Sequence, residues 1–307
     1  MTDHGPLGPA IPPDLSAGLG VLLTRGTGPV ASWPDAAAHF GRLEELGCSV
    51  IWLADHLFWG VPMPDPLVLA AIAVAATRRC LVGTGVLQLP LHEPLVVAKA
   101  STTLQEISTG RFLLGVGSGS HRREYERVGV DFTRRGRILD AGIDQIRAAW
   151  ADPDDEDWYR QRPTPAPIPV WVGGHSDAAL SRAATRSDGW MPIFLTSDRY
   201  AATRARLERL VAEAGRAPGA VTMGAVAFTA VTGPDWSRDD ALTWGARLWN
   251  LDPARLDRYL VAGSAEECAA GLRRYADAGA THVSLLLATD DPITMFGHVA
   301  RAWTTPG

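Results

Sequence analysis

GRFLLGVGSGSHRREYE, residues 110–126, decides how the rest of the chain is read. A glycine precedes an apolar run, Arg111 to Val116, which opens into glycines and serines before a charged, helix-prone stretch begins. Glycine is favoured just past a helix end, where the backbone turns left-handed, so Gly110 marks a tight loop between a helix and a strand. The run after it is near-continuously apolar, as a strand is when helices cover both faces of a parallel sheet.

The same punctuation recurs in EELGCSVIWL (44–53), TRSDGWMPI (185–193) and YADAGATHVSLLL (275–287). Candidate strands are Leu19 to Leu23, Val50 to Leu53, Leu81 to Leu87, Arg111 to Val116, Val170 to Val172, Trp190 to Ile193, Val221 to Ala227 and His282 to Leu287. Between them lie helical stripes. Leu139, Ile143, Ile146 and Trp150 share one face, as do Cys268, Leu272 and Tyr275, and Ser264 with Glu267 makes a capping-box pattern. Eight strands alternating with helices predict a single-domain α/β fold, a (β/α)8 TIM barrel. A doubly wound sheet would more often carry one glycine-rich fingerprint near the N-terminus, and none is present. The barrel is expected over residues 17–307, after a flexible extension over 1–16. Insertions are expected at about 151–169, acidic then proline-rich, and at about 232–262.

Bulk properties narrow the function. The chain has 307 residues, 46% of them apolar, enough for one large core. A net charge of −5 without a basic block gives no support to nucleic acid or anionic membrane as a partner, which leaves a small-molecule substrate. The three cysteines, Cys48, Cys80 and Cys268, are widely spaced and read as buried thiols of a reducing compartment. No apolar run reaches the ~18 residues of a membrane span, and the N-terminus lacks the basic and apolar regions of a signal peptide, so a cytoplasmic location is expected.

In a barrel the site gathers where strands exit at their C-terminal ends. After the second strand come Asp55, His56 and, shortly after, Trp59: a carboxylate, an imidazole and an indole that suit a flat polar ring and proton exchange. An Asp-His pair that merely caps a turn reads equally well. Gly83 and Gly85 inside the third strand signal a bulge or the close approach of another group. After the fourth strand, Ser118, Gly119 and Ser120 expose backbone amides. After the fifth, Gly173, Gly174, His175 and Ser176 run into a helix N-terminus, a favourable place for a phosphate. Trp236, Trp244 and Trp249 follow the seventh strand and suit either a lid over a pocket or a cover on the outside of the barrel. His39, His92 and His282 join no metal-like cluster.

Taken together, LPLHEPLVVAKASTTLQEISTGRFLLGVGSGSHRREYERVGVDFTRRGRILDAGIDQIRAAW (89–150), IPVWVGGHSDAALSRAATRSDGWMP (168–192) and ADHL (54–57) resemble the luciferase-like monooxygenase superfamily, most of all its branch that uses the deazaflavin coenzyme F420. The resemblance implies a non-prolyl cis peptide at Gly85-Val86 backing the cofactor ring. It also implies cofactor contacts at Asp55, Ser118, Gly119 and Ser120, and a phosphate loop at Gly173, Gly174, His175 and Ser176. It makes His56 the proton acceptor or donor, and places a tryptophan one position away from Trp59. Deazaflavin dehydrogenases of the superfamily carry a glutamate where this chain has Ser120, while Glu124 lies one helical turn farther on. Trp59, Trp244 and Trp249 are then candidates to line a substrate pocket. The activity implied is hydride transfer between F420 and a small organic substrate. A reduced-FMN two-component monooxygenase is the alternative, and a cofactor-free binding subunit the alternative of another class. A homodimer is implied too, and a flavin or F420 reductase is a candidate partner.

Overall fold

A computed structural model describes residues 18–24, 35–61, 63–151 and 167–305. The expected N-terminal extension and most of the 151–169 insertion lie outside the described residues. Along the chain run β1 (Leu19–Leu23), α1 (Ala36–Glu45), β2 (Val50–Leu53), α2 (Pro66–Ala76), β3 (Leu81–Thr84), α3 (Pro94–Ile107), β4 (Phe112–Val116), α4 (Arg122–Val128), α5 (Arg135–Ala151), β5 (Val170–Gly173), α6 (Asp177–Arg186) and β6 (Gly189–Met191). Then follow α7 (Ser197–Glu213), β7 (Thr222–Val231), α8 (Arg238–Trp249), α9 (Pro253–Leu256), β8 (Leu260–Gly263), α10 (Ala265–Asp277), β9 (His282–Leu287) and α11 (Pro292–Thr304).

Every strand pairing is parallel. β1 to β7 pair in sequence, β9 pairs with both β7 and β1, and this closes a (β/α)8 barrel of eight strands. The expected strands are present, β1, β2 and β9 with the expected ends and the other five with shifted ones. β3 stops at Thr84, where the chain leaves the ladder; the Gly85-Val86 peptide that follows is cis. β7 runs on to Val231, and its last residues pair with a ninth strand, β8, inside the 232–262 segment that had been read as an insertion. Its pattern, LVAG, is too short to distinguish from a loop by periodicity.

Two cores result. The larger one fills the space between barrel and helices and takes in Leu139, Ile143, Ile146, Cys268, Leu272 and Tyr275. The smaller one fills the barrel around Trp52 and Trp171, whose ring centroids are 5.2 Å apart. Two indoles fit inside because glycines face them. A Cβ on Gly83 would come within 2.5 Å of Trp52, and one on Gly189 within 2.2 Å of Trp171. The close approach read at Gly83 is therefore to a neighbouring core indole. The Ser264 and Glu267 capping box opens α10 as its pattern predicts. All three cysteines are buried free thiols, and burial pushes Cys80 up to about 11 and Cys268 to about 12.

Candidate functional site

Val86 brings three strand exits together. A Cβ on Gly117, just past β4, would lie 2.6 Å from Val86 Cγ2, and one on Gly173, at the end of β5, 3.0 Å from its Cγ1. The bare backbones of the β4 and β5 exits therefore flank the Gly85-Val86 peptide. Gly174 follows with φ of +92°, and Ser176 caps α6 by accepting the Ala179 amide at 3.3 Å. The first turn of a helix leaves backbone N–H groups without intrahelical acceptors, so this loop ends in donors suited to a phosphoester. His175 stands exposed beside them. Its partial desolvation and the guanidinium of Arg199 hold its pKa below the usual 6.5.

The second cluster surrounds His56. Its Nδ1 donates to Glu124 Oε2 at 2.9 Å, and the Phe58 amide donates to Glu124 Oε1 at 3.1 Å. The Glu124 side chain is 0% exposed. Burial pushes its carboxyl up, but the hydrogen bonds from His56, Phe58 and Gln88 outweigh this and hold it below the usual 4.5. The Gln88 side-chain nitrogen Nε2 donates to the Asp55 carbonyl at 3.1 Å and faces the Glu124 carboxylate at 3.3 and 3.4 Å; His56 Nδ1, itself a donor to Glu124, lies 3.1 Å from it. An ionised carboxylate can only accept, so the ring carries a proton on Nδ1 toward Glu124, and in the neutral tautomer this fixes, Nε2 holds the lone pair.

Asp55 and His56 take different partners. Adjacent residues of extended backbone point to opposite sides, and the Asp55 carboxylate accepts from His92 Nε2 at 2.8 Å and from the Gln88 backbone N–H at 2.9 Å. The two do not act as a pair at one turn: Asp55 accepts the backbone amide that opens the Leu89–Leu91 turn, while the partner of His56 is Glu124, on α4. The sequence marks Glu124 only by its place one helical turn past Ser120, and it signals neither Gln88 and His121 nor the partner that His92 finds in Asp55. The signal for Glu124 was available: it is the acid in the first turn of α4, just past the opened backbone.

Trp59, despite its unexpected spacing, stacks on His56 with centroids 3.7 Å apart and planes at 22°. Of the two readings of the later tryptophans, the outside cover fails. Trp236, Trp244 and Trp249 pack against the interior cluster, Trp249 meeting Phe228 edge-on at 5.2 Å. Ser118 accepts through its carbonyl from the Tyr125 hydroxyl. Ser120 is exposed, and His175 and Ser176 belong to the β5 exit rather than to the His56 cluster. Among the described residues no three or more His, Cys, Asp or Glu side chains are placed to hold a metal ion, and no helix is long and apolar enough to cross a membrane.

The strand pairing and the flanking helices define a closed (β/α)8 barrel. The chain belongs to the luciferase-like monooxygenase family, whose sequence model matches residues 16–249. It is similar to an uncharacterised protein of Mycobacterium tuberculosis, 39% identical over 166 residues, or 51% of this chain and 57% of that protein. It thus spans little more than half the length of that relative. An F420-dependent secondary alcohol dehydrogenase in complex with an F420–acetone adduct shares the fold with a TM-score of 0.79, at 18% identity over 94% of this chain and 99% of that one. So does the FMN-complexed oxygenating constituent of 3,6-diketocamphane monooxygenase of Pseudomonas putida, with a TM-score of 0.70, at 14% identity over 94% and 99%.

Proposed function

We propose that the protein is an oxidoreductase that transfers a hydride between coenzyme F420 and a small organic substrate, with His56 moving the accompanying proton. The hydrogen bond between His56 Nδ1 and Glu124 Oε2 carries this reading. A buried carboxylate fixes the tautomer of the ring and stabilises the imidazolium formed when Nε2 takes a proton. Hydride removal from an alcohol carbon leaves a hydroxyl proton that needs such an acceptor, and carbonyl reduction needs the same group as donor.

The residues present fit the cofactor. Gly85, Val86, Ser118, Gly119 and Ser120 would hold its ring, Gly173, Gly174, His175 and Ser176 its phosphate, with Asp55 beside them. When bound, F420 supplies the hydride acceptor or donor at its C5. Trp59 holds the imidazole plane, and Trp244 and Trp249 give the mouth an apolar wall for the substrate.

Titrating the pure protein with F420 and with FMN, followed by fluorescence and absorbance, tests the reading. F420 binding is expected. Micromolar FMN binding without F420 binding would overturn it in favour of the two-component monooxygenase, served by a separate flavin reductase, and binding of neither would favour a cofactor-free binding subunit.

The homodimer is part of the same proposal. α2 carries no charged side chain, and Val68 on it and Val96 on α3 are 62% and 65% exposed. A helix apolar on every side is ordinarily covered, and a second copy of this chain would cover α2.

A further inference from the structure

One side chain joins the β2 exit to the end of α8. A helix leaves its last carbonyls without intrahelical donors. In α8 the Ala246 carbonyl takes the Leu251 amide, past a left-handed Asn250, and the Leu248 carbonyl takes the indole Nε1–H of Trp59 at 2.6 Å. That donor comes from 189 residues away. The face of the same indole lies on the His56 ring, and His121 meets it edge-on with centroids 5.1 Å apart. One residue past Leu248, Trp249 inserts between Phe194 at 4.9 Å and Phe228 at 5.2 Å. The α8 end is thus tied at two adjacent residues, once to the barrel interior and once to the ring that stacks on His56.

We propose that Trp59 is a positioning residue that couples the α8 end to His56. Its N–H fixes where the last turn of α8 closes the mouth, and its face fixes the plane in which His56 meets Glu124. Either contact alone would leave the two elements independent; sharing one rigid indole makes them move together. The consequence for proton transfer rests on the reading of His56 given above, whereas the coupling itself does not.

Trp59→Phe keeps an aromatic face and removes the N–H, and Trp59→Leu removes both. Two readouts need neither cofactor nor substrate: amide hydrogen exchange over residues 248–252, and the NMR shifts of the His56 ring protons, which a stacked indole moves upfield. In Trp59→Phe the α8 end is expected to exchange roughly tenfold faster while the His56 protons stay upfield. In Trp59→Leu both are expected to change, with the thermal transition still cooperative. Unchanged exchange at 248–252 in Trp59→Phe overturns the tie to α8. Unchanged His56 shifts in Trp59→Leu overturn the hold on the imidazole. Full turnover in His56→Ala, with the Trp59 results as expected, would remove the catalytic reading and leave the coupling standing.

Discussion

Glu124 Oε2 lies 2.9 Å from His56 Nδ1, although 68 positions separate the two residues in the chain. The β2 exit supplies the imidazole and α4, which follows β4, the carboxylate; the two meet because only β3 lies between β2 and β4 in the sheet. His56→Ala is expected to lower kcat by roughly 10²–10⁴-fold with F420 affinity changed far less. It also strands a buried carboxylate, so turnover is read per folded molecule, with His56→Gln as the variant that retains a side-chain donor. Glu124→Gln should lose roughly 10²-fold or more, because an amide cannot stabilise the imidazolium. Undiminished kcat in stable His56→Ala would remove His56 from the chemistry.

Acid should weaken the fold through Glu124. Its folded pKa lies below the usual 4.5, so between the two values the unfolded chain binds the proton and the folded one does not. The stabilisation is present above 4.5 and lost as pH falls through the folded value. Denaturant unfolding of wild type and Glu124→Gln, compared from about pH 6 down to about pH 3, should show the gap between them narrowing on acidification. A gap independent of pH sinks this account.

The barrel was legible because its signals are local. A glycine after a helix and a short apolar run each report on their own neighbourhood, and β4 and β5 came out close to their true ends. β8 was missed because its four residues lean on the far end of β7, a long-range partner. The site was legible in outline only. Gly85, Val86 and the β5 loop follow from local backbone demands, whereas Gln88 and Glu124 acquire their roles from residues 32 to 68 positions away. The different partners of Asp55 and His56 were illegible for a related reason: neighbours on extended backbone point apart.

Gly119 should resist substitution. Its φ is +60°, and a Cβ there would lie 2.0 Å from the Gln88 side-chain oxygen. The flexible Gln88 would give way and take its amide off Glu124 and the Asp55 carbonyl. Gly119→Ala should therefore cost about 1–3 kcal/mol of stability and also reduce kcat. Wild-type kcat in that variant would show that Gln88 is dispensable to the His56 pair.

Self-association should depend on the exposed apolar residues of α2 and α3. Light scattering is expected to give a dimer mass for the wild type, and a monomer for the double substitution Val68→Lys with Val96→Lys, since an unpaired charge is costly to bury. A concentration-independent monomer mass for the wild type sinks the proposal.

His175 offers a probe of the phosphate loop that needs no turnover. Partial burial and the Arg199 guanidinium both disfavour its protonated form and keep its pKa below 6.5. An anion seated at Gly174 and the α6 N-terminus would reverse the sign of the local field and favour the imidazolium. Added inorganic phosphate, and more strongly F420, should therefore raise the His175 titration midpoint seen by NMR. A control variant, Ser176→Ala, removes the helix cap and should weaken the response. A midpoint that stays put at saturating F420 would place the cofactor phosphate away from this loop.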